Sequence, residues 1–133
     1  SKRAVSWISA VFGEDYGLHM AMLLNVKDGK TEYESLRNGY VMHEGATYGL
    51  VSATVEGYHS HHCPMNIRIV ATDVRGIRHE VFGNAIAVHP WYNFNPSHVA
   101  FQSLMQWRCG NRIGHSEMAD IFGLEYLAAR QTS

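Results

Sequence analysis

The chain of 133 residues is the size of one domain, long enough to bury a core without disulfide staples, and is read as a single domain over 1–133. With 46% apolar and 17% charged residues it has a globular composition, and no apolar run reaches the roughly eighteen residues of a helical membrane span. Eleven basic against twelve acidic residues leave a net charge of −1, so nucleic acid and anionic membranes are not expected as partners.

The opening residues SKRAVSW hold no apolar signal core, so no secretory leader is read there and a cytoplasmic location is expected. Ser1 itself reads as a tag remnant or an excised domain boundary. Runs of period-two or β-rich sequence then follow: Ala4–Phe12, Leu18–Val26, Thr31–Val41, Ala46–Gly57, Asn66–Asp73, Ile77–Val88, Val99–Cys109 and Arg112–Met118. These predict an all-β fold, an antiparallel barrel or half-barrel of about eight strands. Lys27-Asp28-Gly29-Lys30, Asp73-Val74-Arg75-Gly76 and Cys109-Gly110-Asn111-Arg112 are predicted tight turns, because Gly, Asp and Asn tolerate the positive φ that hairpins demand. Glu14-Asp15-Tyr16-Gly17 and His43-Glu44-Gly45 are looser turns. The segments Tyr58–Pro64 and His89–His98 interrupt the pattern and are expected to be longer loops at a cavity mouth. In the tail Ala119–Arg130, Ile121, Leu124 and Leu127 have helical spacing, yet a last strand is preferred to a short helix. Cys63 and Cys109 lie far apart without CxxC spacing and are read as buried thiols in a reducing compartment.

Nine histidines are the main anomaly, since imidazole is the side chain that gains or loses a proton near neutrality. The densest group, His59-Ser60-His61-His62-Cys63, partly matches a metallo-hydrolase HxHxxD motif, but the Asp is missing and no second ligand motif follows. No metal or cofactor is therefore expected, and a metal enzyme built on His59–His62 is kept as a second alternative. In Gly114-His115-Ser116-Glu117 a base and an acid two apart on a strand share one face. If that face lines a cavity, His115 and Glu117 are the candidate catalytic pair; otherwise they are a solvent-facing pair at the rim.

On Leu18–Val26 the even positions form an apolar face, while His19 and Asn25 are polar groups on the opposite, largely apolar one, the mixture that ligand pockets show. Trp91, Tyr92, Phe101 and Trp107 are further candidate ligand contacts, although large rings pack barrel cores equally well. Strands with two apolar faces need a second cover, which predicts a twofold homodimer. No GxSxG elbow, P-loop or GxGxxG occurs, so covalent and nucleotide chemistry are unsupported.

Trp7 to Gly13 with Glu14-Asp15-Tyr16-Gly17, Asp73-Val74-Arg75-Gly76 with His79-Glu80-Val81-Phe82-Gly83, and Trp107–Glu117 leading to Tyr126-Leu127 give the chain a likeness to known proteins. It resembles the C-terminal half of the AttH-like and carotenoid-hydratase-like proteins, a calycin-type family of paired lipocalin-like β-domains. The resemblance implies a lipocalin-like barrel, hydrophobic small-molecule substrates and, in some members, hydration, isomerisation or cyclisation without a nucleotide cofactor. The expected function is thus a cofactor-independent lyase, hydratase or isomerase acting by acid-base chemistry on a hydrophobic oxygenated small molecule. The alternative is a module that binds such a ligand without transforming it.

Overall fold

The computed structural model describes residues 4–131. Eight antiparallel strands in simple meander order close into a barrel, with β1 returning to pair with β8. They are β1 (Ala4–Val11), β2 (Tyr16–Lys27), β3 (Lys30–His43), β4 (Ala46–Ser60), β5 (Cys63–Asp73), β6 (Arg78–Asn95), β7 (His98–Cys109) and β8 (Arg112–Gly123), followed by helix α1 (Leu124–Gln131).

Period-two alternation decides the inside. On β1 Ala4, Ser6, Ile8 and Ala10 are buried, on β2 the even set Leu18 to Val26, and on β8 Gly114, Met118, Asp120 and Phe122. One cluster fills the middle of the barrel around Ile8, Leu18, Met22, Ile69, Met105 and Trp107. A second occupies the end from which α1 emerges and contains Leu24, Val26, Cys63, Phe101, Phe122 and Leu127 of the helix. The helix therefore plugs its end of the barrel. Tyr126 ties it down: its hydroxyl donates to Asn25 Oδ1 at 2.8 Å and accepts from the Val26 amide at 3.0 Å. That amide belongs to a stretch of β2 beyond the last β1 partner, Val5 opposite Leu23.

The wall is not uniform. β3 and β4 pair only from Tyr40–Gly49 to His43–Ala46, so their other ends splay apart. β5 and β6 pair only between Asn66–Asn84 and Thr72–Arg78, and the rest of β6 continues in a β6–β7 ribbon whose β7 strand goes on pairing with β8.

Three local expectations need correction. Tyr58–Pro64 is no long loop but the tip of a hairpin whose two turn residues, His61 and His62, have φ of 51° and 68°. His89–His98 is likewise the far part of the β6–β7 ribbon; register shifts absorb its irregular residues, with Trp91 at φ 56°. The tail divides: β8 runs on to Gly123 and only then does a helix begin, because Phe122 still has an inward position to fill and Leu124 and Leu127 cap the end. Both cysteines are free thiols, at opposite barrel ends: Cys63 in the helix-end cluster, where burial raises its pKa, and Cys109 beside Tyr16. Among the described residues no helix is long and apolar enough to cross a membrane.

Candidate functional site

Each end of the barrel holds a tyrosine, a histidine and an aspartate in contact, and their hydrogen bonds separate the two. At the end away from α1, the His79 ring lies between two partners. Nε2 is 2.9 Å from Asp73 Oδ2 and Nδ1 is 2.7 Å from the Tyr16 hydroxyl. Asp73 also accepts from the Arg75 side chain and from the amides of Arg75 and Ile77, which builds the β5–β6 turn. The Arg75 guanidinium, with help from His79 and the two amides, holds the Asp73 carboxyl well below the usual range despite its burial. Burial above all, with Cys109 nearby, raises the Tyr16 hydroxyl pKa far above normal. Both nitrogens of His79 are committed, and the group closes the end of the barrel.

At the α1 end the inward positions of β1, β3, β4 and β8 supply Ser6, Tyr33, His59 and Asp120. Asp120 has no exposed surface. Its Oδ1 accepts from Ser6 Oγ at 2.7 Å and its Oδ2 from the Tyr33 hydroxyl at 2.7 Å. His59 Nε2 lies 2.7 Å from the Tyr33 oxygen and 3.2 Å from Asp120 Oδ2, with the tyrosine and histidine rings stacked at 5.6 Å. Burial first, and then the Asp120 charge, hold the Tyr33 hydroxyl well above its ordinary pKa, so it stays protonated and donates to the carboxylate. The oxygens facing His59 Nε2 are then acceptors, which assigns the ring proton to Nε2 and leaves Nδ1 as a basic lone pair. His59 makes no hydrogen bond through Nδ1, and Thr31 Oγ1 is the one buried side-chain nitrogen or oxygen without a partner among the described residues. Nδ1 therefore has access to solvent.

That access is a cleft of about 770 Å³ where β3 and β4 splay, lined by Lys27 to Glu32 of the β2–β3 hairpin and by Gly57, Tyr58, His59, His61 and His62. Gly57 is required for the close contact of β4 with β5: a Cβ there would stand 2.0 Å from the Asn66 carbonyl oxygen. His62 turns inward, with its ring 5.1 Å from that of Phe101 and 6.2 Å from that of Phe122, and burial lowers its pKa. His59 is thus engaged with Tyr33 and Asp120 and His62 with two phenyl rings, and no group of three His, Cys, Asp or Glu suited to a metal occurs among the described residues.

The residues singled out from sequence are scattered. His115 and Glu117 do share a face, but it is the outer one. Both are exposed, beside Gln106 and Gln102 respectively, so the expectation that they line the cavity is corrected. Alternation fixes that they lie together; the inward packing of Met118 and Phe122 fixes on which side. His19 stacks on Tyr40 outside the barrel, where burial lowers its pKa, and Asn25 holds α1 through Tyr126. Trp107 is a core residue donating Nε1 to the Ser116 carbonyl, and Phe101 belongs to the helix-end cluster. Tyr92 stacks on His89 on the ribbon, and Trp91 borders a separate hollow of about 370 Å³ with Leu124, Leu127 and Ala128. Thr31, Tyr33 and Asp120 belong to no motif that singles them out in sequence, and His59 reads there as part of a polar loop or as a metal ligand. The available signal was Asp120 itself, a carboxylate at the inward spacing of Met118 and Phe122. No family model, curated protein or solved structure matches the chain.

Proposed function

We propose that this barrel is a cofactor-independent acid-base enzyme, a lyase, hydratase or isomerase, acting on a hydrophobic oxygenated small molecule bound in the cleft between the β2–β3 and β4–β5 hairpins. The carrying observation is the asymmetry of His59: Nε2 is fixed by Tyr33 and the buried Asp120, while Nδ1 is free and reaches the cleft. A proton taken up at Nδ1 leaves an imidazolium facing Asp120, whose negative charge is already in place and need not be reorganised. Tyr33 and Asp120 are positioning residues that set tautomer and orientation. His62 on the cleft wall is backed by the buried rings of Phe101 and Phe122, and the hydrophobic substrate class follows the AttH-like resemblance.

A direct test is the ring opening of 5-nitrobenzisoxazole. The C3 proton passes to the base, its electron pair completes a nitrile, and the N–O bond breaks to give an absorbing phenolate. Wild type is expected to accelerate this reaction, and His59→Gln, which keeps a donor near the position of Nε2, to lose about 10²–10⁴-fold in kcat/KM at an unchanged melting temperature. Equal rates for the two would overturn the assignment.

The second reading, a carrier that holds its ligand unchanged, is favoured by the hollow under Trp91, whose lining of Leu124, Leu127 and Ala128 has no titratable group. Native mass spectrometry of the purified chain would then find an intact retained ligand. On the outer face Trp7 is half-exposed, in register between the buried Ala21 and the half-buried Ala119, and this exposed ring is what supports the expected twofold self-association. Sedimentation at tens of micromolar, with Trp7→Lys as the disrupted control, tests it.

A further inference from the structure

Thr31 is the inward residue two positions before Tyr33 on β3, which puts their Cα atoms about 7 Å apart on one face. It lines the same cleft as His59, and its hydroxyl is buried without a hydrogen-bond partner. A buried hydroxyl left unmatched is costly, and such groups in a folded chain call for an explanation at the site where they stand. The oxygen itself has no accessible surface, so a turn about χ1 is what brings the hydroxyl out to donate to an oxygen that arrives with a ligand. The charges around it restrict that ligand. Lys27 and Lys30 on the cleft rim are matched in number by Asp28 and Glu32, and the Asp120 carboxylate buried behind His59 would repel an anion.

Resting on the acid-base reading above, we infer that the site takes neutral, enolisable carbonyl compounds, with Thr31 Oγ1 donating to the carbonyl oxygen while His59 Nδ1 removes a proton from the adjacent carbon. The step balances within the substrate. The C–H bond breaks and its proton goes to Nδ1. Its electron pair becomes the carbon–carbon π bond of an enolate, and the carbonyl π pair moves onto oxygen, where the Thr31 hydroxyl meets the new charge. Return of the proton to the same carbon gives exchange, and to a conjugated carbon further along gives isomerisation. No oxidant, reductant or added group is needed.

The experiment uses 2-tetralone as the probe, with the full chain in D2O and loss of its C1 protons followed by NMR. Wild type is expected to accelerate exchange above the buffer rate, and Thr31→Val, which replaces the hydroxyl by a methyl of similar shape, to slow it about 10²-fold. Thr31→Ser should restore most of the rate. The melting temperature of Thr31→Val should be equal to or higher than that of wild type, because an unmatched buried hydroxyl is removed. A lower melting temperature would mean that Thr31 is bonded within the fold and would overturn the proposal. If 5-nitrobenzisoxazole is opened in a His59-dependent way while 2-tetralone is not exchanged, or is exchanged equally by Thr31→Val, this inference fails and the acid-base reading stands. If neither probe responds to His59, both fail.

Discussion

A carboxylate without exposed surface, such as Asp120, costs several kcal/mol to remove from water and persists only where its oxygens are hydrogen-bonded. Ser6 satisfies one oxygen and Tyr33 with His59 the other. Ser6→Ala should cost about 1–3 kcal/mol in urea unfolding, the desolvation cost of an acceptor that has lost its donor. On the proposed acid-base reading Tyr33 acts through its neighbours, so Tyr33→Phe, which keeps the stacked ring, should lower kcat for 5-nitrobenzisoxazole by roughly 10-fold or more with KM unchanged. A purely structural tyrosine would move the melting temperature and leave kcat alone. The other trio gives the contrast: His79 has partners on both nitrogens, so it stiffens the barrel and offers no base.

At the scale of elements, the β4–β5 hairpin carries the site on a strained turn. Its two central residues lie in the left-handed region, which Asn and Gly adopt more cheaply than histidine. The inward reach of His62 toward Phe101 and Phe122 offsets that strain. His61 is exposed, so His61→Asn should stabilise the chain by about 0.5–1 kcal/mol, read as a higher urea midpoint at constant slope. Helix α1 depends on its plug: Leu127→Ala should cost about 2–5 kcal/mol, as for other fully buried leucines, and open the α1 end of the barrel to dyes that bind exposed apolar surface.

For the whole molecule, acid should weaken the barrel in two steps. His62 and His19 have pKa values lowered by burial, so the folded chain binds fewer protons than the unfolded one, and stability falls as pH drops below their ordinary value of 6.5. Asp73 is also depressed, chiefly by Arg75, so the stability it contributes is present above its ordinary 3.8 and is lost as pH falls toward the folded value. Melting temperatures between pH 7.5 and 3 should show both declines. His62→Phe should flatten the first and Asp73→Asn the second.

Much of this architecture is written locally. Alternation along Leu18–Val26, together with turn pairs such as Asp28-Gly29, is a nearest-neighbour property of the chain, and it was enough to count eight strands and their antiparallel succession. Alternation also paired His115 with Glu117 on one face. It could not say which face looks inward, because that depends on how Met118 and Phe122 pack against strands far away in sequence. Nor could it extend the strands through His61-His62 and the ribbon beyond His89, where long-range pairing overrides unfavourable turn residues. The site is the extreme case: Ser6 and Asp120 are 114 residues apart, Tyr33 and Asp120 87. Only closure of β1 on β8, and the failure of β3 and β4 to pair along their whole length, brings those groups together and leaves one nitrogen of His59 facing the cleft.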